Sequence, residues 1–170
     1  MSGMEFVAGD LIFAPLADED VAAFISESRE DFVEGLVAAG EERAAVEEQA
    51  DAIHARLLPD GRLNPDHRIG HLVSAGEPVG HLWVARDDQS AWYVWDVAIK
   101  PEHQSRGFGR AAMNLAEKMA RADGADSIGL SVLVTNDIAR TLYGSLGYEV
   151  VEPQSGPLVR MSKKLGTLAS

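Results

Sequence analysis

The chain has 170 residues and a mass of 18.3 kDa, one domain's worth, with 46% hydrophobic and 25% charged residues, a balance that excludes disordered, collagen-like and low-complexity architectures. It contains no cysteine, which excludes a disulfide framework, a thiolate metal site and a cysteine nucleophile, and no apolar run approaches the roughly 20 residues that span a bilayer. A formal net charge of −12 repels phosphodiester backbones and argues against nucleic acid or an anionic membrane surface as a principal partner.

The opening segment MSGMEFVAGD holds acids and no basic-then-apolar leader pattern, so a cytoplasmic protein is expected. Residues 10–16 (DLIFAPL) read as a first strand, ended by Pro15. Apolar positions Val21, Ile25, Phe32 and Leu36 then recur at helical spacing up to Gly40, a helix stop. Glu41 and Glu42 suit the first turn of a second helix, whose apolar stripe is Val46, Ala50, Ile53 and Leu57. Residues 18–51 hold twelve acidic side chains against two arginines. This is a solvated helix face, or an attractive field for a cationic ligand. Residues 59–66 (PDGRLNPD) are a loop.

Strands follow at 69–74 and 79–85, joined in a hairpin at Gly76-Glu77-Pro78, and then at 91–99 (AWYVWDVAI), the strongest strand signal in the chain. A helix over about 107–122, a buried strand over 127–134, a short helix from Asn136 to about Leu146 and strands at 148–152 and 158–164 complete the pattern. Residues 165–170 read as a frayed tail. The order β-α-α-β-β-β-α-β-α-β-β over residues 1–164 predicts one α/β domain built on a mixed sheet. Unlike the front of the chain, residues 99–164 carry nine Lys and Arg against seven acids, so a small anionic ligand fits there.

The segment 97–120 carries the most chemistry. A strong strand ends near Ile99, and a glycine-rich turn then opens a helix. Gly107 and Gly109 remove side chains where backbone would approach a ligand, and the first helical N–H groups point outward at the positive end of the dipole. Such a turn holds phosphate or pyrophosphate, with Arg106 and Arg110 adding charge. GFGRAA (107–112) also fits the dinucleotide fingerprint, which requires its first glycine directly after the strand. Here Lys100–Arg106 intervene, and the strand ending Val132-Leu133-Val134-Thr135 lacks the expected acid. A dinucleotide site is therefore disfavoured.

Gln104-Ser105-Arg106-Gly107-Phe108-Gly109 resembles the Q/R-x-x-G-x-G/A signature of the GNAT superfamily of acyl-CoA-dependent N-acyltransferases. Residues 136–148 (NDIARTLYGSLGY) resemble a second segment of that family, N-x-x-A-x-x-L-Y-x-x-x-G-[FY], in the expected order and spacing. With the element order, the resemblance covers about residues 10–164. It implies a mostly antiparallel sheet whose two central strands, 91–99 and 127–134, splay into a V and admit a coenzyme arm. By the same resemblance, the backbone of Ser105, Arg106, Gly107, Phe108, Gly109 and Arg110 would hold the pyrophosphate of acetyl-CoA, with Gln104 among the cofactor-binding residues. Val97, Ala98 and Ile99 would bond the pantetheine, Asn136 would touch the coenzyme, and Tyr143 would lie beside its sulfur. Relatives dimerise through the sheet or its last strands, so a homodimer is one of the oligomeric states left open.

Read as residues, Asn136 is equally a helix N-cap and Tyr143 equally a core side chain; both roles are compatible with the resemblance. The Tyr143 hydroxyl suits a proton donor to a departing thiolate. With no cysteine and no G-x-S-x-G, direct attack of an amine on the thioester is the economical scheme, without an acyl-enzyme, and a backbone N–H near Val97–Ala98 would receive the oxyanion. Asp96, on the central strand, is the first candidate for the base or for an ammonium site. Tyr93, His71 and His81 are weaker ones. The acceptor is a small amine, cationic or amino-acid-like, or a peptide amine. The alternative is a non-catalytic acyl-CoA-binding or sensing domain on the same fold. His67 and His71 have metal-like spacing but lack the Glu of H-E-x-x-H, so no metal is expected. Trp83, Trp92 and Trp95 read as sheet packing, with some of them walling the acceptor site.

Overall fold

The computed structural model describes residues 6–63, 65–87, 90–152 and 156–166. Eight strands form one open sheet: β1 (Val7–Ala8), β2 (Leu11–Pro15), β3 (His67–Ser74), β4 (Glu77–Arg86), β5 (Ala91–Ile99), β6 (Ser127–Leu133), β7 (Glu149–Val150) and β8 (Leu158–Lys164). Their spatial order is β1-β2-β3-β4-β5-β6-β8-β7, and among the described residues β5–β6 is the one parallel pair. The helices are α1 (Asp18–Ala38), α2 (Arg43–Leu57), α3 (Phe108–Ala122) and α4 (Asp137–Ser145). This is the mixed, mostly antiparallel sheet with flanking helices that the sequence predicts.

The local chemistry explains the boundaries. Asp18, Glu19 and Asp20 fill the first turn of α1, where the helix dipole favours negative charge. Its end is closed by Gly40, whose N–H donates to Val37 O, while the N–H of Glu41 donates to Leu36 O. The second helix begins after the two glutamates expected in its first turn, with Glu42 as its N-cap and Arg43 as its first residue. The hairpin turn is also tighter than expected. Ala75 and Gly76 both adopt positive φ (52° and 77°), so Glu77 and Pro78 already belong to β4. Two-residue β1 escapes any periodicity argument, and at the other end Leu165 is buried, its N–H donating to Asp126 O. Of the tail expected over residues 165–170, residues 167–170 lie outside the described residues.

Each face of the sheet has its own core. On one side α3 lays Met113, Leu115, Ala116 and Met119 against Leu82, Val84, Val94 and Leu130. On the other, α1 and α2 pack Ile25, Val33, Leu36, Val46 and Ala50 against Ile69, Trp83, Leu133 and Leu158. Within the α3 core stands one buried carboxylate, Glu117, 3% exposed. Lys163 Nζ donates to it at 2.7 Å and the Tyr148 hydroxyl at 3.3 Å, so the charge is compensated where it is desolvated.

Two features of β5 create the site. First, β5 and β6 pair only from Ala91↔Ser127 to Val94↔Leu130; beyond Val94 the edge of β5 facing β6 has no ladder partner. Second, the β4–β5 register steps from Trp83↔Asp96 to Val84↔Val94, leaving Trp95 as the extra residue of a β-bulge. A bulge bends its strand, and this one sits where β5 parts from β6. The sheet forks there.

Candidate active site

The bulge also decides which way Asp96 faces. Strict alternation would place Asp96 with Trp92 and Val94, on the α3 side. Because Trp95 is extra, Asp96 instead shares a face with its partner Trp83, toward α1. There the Ser28 hydroxyl donates to Asp96 Oδ2 at 2.7 Å, and His81 Nε2 lies 3.0 Å from Oδ1. That second contact is close but poorly aligned, leaving the buried His81 Nε2 without a directed hydrogen bond. Ser28 thus fixes the carboxylate by a hydrogen bond, and His81 borders it from a second element.

A cavity of about 290 Å³ fills the fork between β5 and β6. Asp96, Val97, Asn136 and Tyr143 all line it, so four of the residues singled out in the sequence meet at one place. Tyr143 projects from α4, is 9% exposed, and its hydroxyl makes no hydrogen bond to another described residue. Burial raises its pKa above the ordinary tyrosine value, and the nearby negative charge of Asp96 adds to the effect. The phenol therefore stays protonated throughout the neutral range. Asn136 caps α4 by accepting from Ala139 N–H at 3.1 Å while lining the cavity, so its two readings coexist.

The glycine turn lies at the end of β5, after a 3₁₀ turn over Pro101–His103. Ser105 and Gly107 take positive φ (64° and 85°), which turns successive backbone groups the same way. No backbone N–H from Ser105 to Arg110 donates to another described residue, and no side chain caps α3. The side chains serve the turn itself. Gln104 Nε2 donates to Ile99 O at 3.0 Å, Arg106 stacks over Phe108 at 5.3 Å, and Arg110 donates to Ser145 Oγ at 2.9 Å. A Cβ on Gly109 would come 3.3 Å from Leu142 Cδ2. The two motif segments, far apart in sequence, are thus in contact through Gly109–Leu142 and Arg110–Ser145, although the turn itself lines neither cavity described here.

A second cavity of about 520 Å³ adjoins the first on the α1–α2 side, sharing Ser28, Phe32, Val94, Trp95, Ser131 and Leu158 with it. Its floor holds Tyr93, whose hydroxyl donates to Ser131 Oγ at 2.6 Å and whose ring packs edge-on to Trp95 at 4.7 Å. Trp83 and Trp95 line this cavity, whereas Trp92 packs on the other face and donates to Asp123. The acidic surplus of α1 and α2 contributes only Asp31 to either cavity, which favours the solvated-face reading of that stretch. Arg29, Arg56 and Arg160, absent from the sequence reading, line the larger one. Of the other histidines, His71 is exposed on β3 and His67 Nδ1 accepts from Trp83 Nε1 at 2.9 Å. His67 is the first residue of β3 and His71 lies within it, about 13 Å away at strand rise. Among the described residues no three His, Asp or Glu side chains converge as a metal cluster.

Comparison with known proteins agrees with this geometry. The chain is 25% identical over 156 residues to the uncharacterized N-acetyltransferase YdgE of Bacillus subtilis, covering 88% of this chain and 95% of that one. The crystal structure of YycN from Bacillus subtilis superposes with a TM-score of 0.75 at 20% identity, over 86% of this chain and 96% of that one. PaiA N-acetyltransferase from Thermoplasma acidophilum, solved with coenzyme A, gives a TM-score of 0.63 at 17% identity, over 92% and 99%. At those identities the solved structures speak for the fold alone. Residues 21–148 match the Acetyltransferase (GNAT) family, three quarters of the sequence and both motif segments, and the chain belongs to that family.

Proposed function

We propose that this protein transfers the acetyl group of acetyl-CoA directly to a primary amine, with both substrates bound at once and no acyl-enzyme. The observation that carries the reading is the forked cavity. It gathers Tyr143, Asn136 and Asp96 beside an edge of β5 that has spare main-chain donors, and α4, which carries Tyr143, touches a turn whose N–H groups from Ser105 to Arg110 donate to no other described residue.

The residues fit the coenzyme. The turn Ser105–Arg110 is an uncapped helix start whose backbone N–H groups donate to no other described residue, matched to a diphosphate. The unpaired edge over Val97, Ala98 and Ile99 suits the amide groups of a pantetheine arm, which would enter the fork as an extra strand enters a sheet. The PaiA relative was solved with this same molecule bound. The thioester supplies an activated acetyl group.

The protein's own part is to position and to move protons. An alkylammonium has a pKa near 10, so the acceptor must lose a proton before it attacks. Asp96, fixed by Ser28, faces the fork; it receives the ammonium and passes the proton to solvent, with His81 behind it. The amine nitrogen bonds to the acetyl carbon and gives up a second proton to solvent by way of Asp96, the carbon–sulfur bond breaks, and main-chain N–H groups near Val97 and Ala98 steady the carbonyl oxygen as charge builds on it. Tyr143, kept protonated by burial, gives its proton to the departing sulfur and regains one from solvent.

The test is thiol release from acetyl-CoA across amines, amino acids and short peptides, together with calorimetric titration of coenzyme A. Release with at least one amine, and coenzyme binding abolished in Gly109→Glu, are the expected results. A protein that binds coenzyme A and releases no thiol with any amine is a binding domain, and the catalytic reading falls.

A further inference from the structure

The larger cavity has a charge pattern the chain as a whole does not predict. The sequence holds 27 acidic residues against 15 Lys and Arg, yet the side chains lining this cavity include three arginines and one carboxylate, Asp87. Arg29 is neutralised from outside the cavity, by Asp51 at 2.7 Å and Glu30 at 3.2 Å. Arg160 reaches Asp87 at 3.4 Å and spreads over the Tyr93 ring at 5.6 Å, which leaves much of its guanidinium facing the space. Arg56, in the last turn of α2, forms no ion pair with another described residue. The adjoining fork carries the opposite sign, with Asp31 and Asp96 among its lining side chains. A field thus runs from negative at the reacting end to positive at the far end, between low-dielectric walls that concentrate it.

We infer that the acceptor is a small primary amine that also carries an anionic group, a carboxylate or phosphate, held by Arg56 and Arg160 while its amine points at Asp96. This rests on the acetyl-transfer reading above and adds the substrate class to it. Between the two charged ends, the body of the acceptor lies on Tyr93 and Trp95. Guanidinium groups suit this role because their planar fork matches a carboxylate or phosphate edge. A polyamine does not fit the pattern, since its second ammonium would meet arginines where it needs carboxylates. The cavity's volume of about 520 Å³ accommodates an amino-acid-sized body.

The experiment compares kcat/KM for thiol release from acetyl-CoA with four kinds of amine: phenethylamine (uncharged body), phenylalanine and 4-(aminomethyl)benzoate (carboxylates), phosphoethanolamine (phosphate), and putrescine (a second cation). An anionic member should exceed phenethylamine by about tenfold, as a charge-assisted contact predicts, and putrescine should fall below it. Whether a carboxylate or the phosphate leads identifies the anion. In the double variant Arg56→Gln, Arg160→Gln the ratio of anionic to uncharged amine should collapse toward one, and Arg56→Glu should raise putrescine relative to phenylalanine. Because each ratio is internal to one protein, partial misfolding does not imitate it. Three results overturn the inference while leaving acetyl transfer intact: a preference for phenethylamine, a preference for putrescine, or a ratio unchanged in the double variant. Thiol release with none of these amines but with others would do the same. No thiol release with any amine at all overturns the acetyl-transfer reading itself, and the inference with it.

Discussion

At Tyr143 one hydroxyl separates packing from chemistry. The ring belongs to the α3-side core, while the oxygen has no hydrogen-bond partner among the described residues. Tyr143→Phe therefore keeps the packing and removes the proton donor. Thiol release should fall about a hundredfold, the usual weight of a general acid, with the coenzyme dissociation constant and the melting temperature nearly unchanged. A melting temperature that dropped in step with activity would make the residue a structural one. The raised pKa sets the pH profile as well. The rate should climb with pH as the acceptor ammonium deprotonates, and it should show no falling limb from Tyr143 below about pH 10 in kinetics on the intact enzyme. Asn136→Ala tests the capping role beside it. Losing the Ala139 contact should cost about 1 kcal/mol in denaturant unfolding, and loosening α4 should lower kcat through the placement of Tyr143.

The same separation holds for whole elements. The start of α3 joins a backbone that is open toward solvent to a first turn wedged against α4. Gly107, at φ 85° with open space around its would-be Cβ, is needed for its conformation, and Gly109 for its contact with Leu142. Substituting them should fail in different ways. Gly107→Ala strains the turn by about 1 kcal/mol and weakens coenzyme binding modestly, whereas Gly109→Glu fills and charges the turn and abolishes it, both read by calorimetry. In β5 the bulge at Trp95 and the last paired residue, Val94, are adjacent, so a single irregularity opens the fork and turns Asp96 into it.

The whole molecule is fixed by a few close approaches and by buried ionisable groups. A Cβ at Gly80 would fall within the radius of Ala98 O, so Gly80→Ala must push β4 and β5 apart at the strand that carries the site. Stability should drop by several kcal/mol, about 3 or more, and activity with it, in parallel melts and assays. Glu117→Ala removes the acceptor of Lys163 and Tyr148 and leaves a void in the α3 core, and should cost about 2 kcal/mol by denaturant titration. Tyr93, Tyr143 and Tyr148 all have pKa values raised chiefly by burial, that of Tyr148 further by the charge of Glu117. Their folded pKa values exceed the unfolded value near 10, so they contribute stability that is present below pH 10 and lost as pH rises above it. Denaturant unfolding should show a flat stability through pH 9 and then a loss of about 1.4 kcal/mol per pH unit for each tyrosine still protonated in the fold. His67 works in the other direction. Burial lowers its pKa, so its contribution is present above about pH 6.5 and declines as pH falls below that value, when the unfolded chain protonates first.

Much of this was legible in the residues. The β5 range, the helix opened by Gly107, the capping Asn136 and both family segments follow from local pattern, because strand propensity, glycine turns and caps are set by neighbours within a few residues. The fork, the face taken by Asp96 and the gathering of Arg56 with Arg160 do not follow from local pattern. Each depends on a register between strands, or on a meeting of chain segments about a hundred residues apart, and neither leaves a periodic trace in the sequence. Glu117 is an intermediate case. It stands at helical spacing from the buried Met113, a charge on an apolar stripe, but only the packed structure supplies Lys163 and Tyr148 as its partners. The sequence alone thus determined most of the elements and the glycine turn that opens α3, which are short-range. Tertiary structure decided the shape, polarity and charge of the two cavities, because a cavity exists only between elements that folding has brought together.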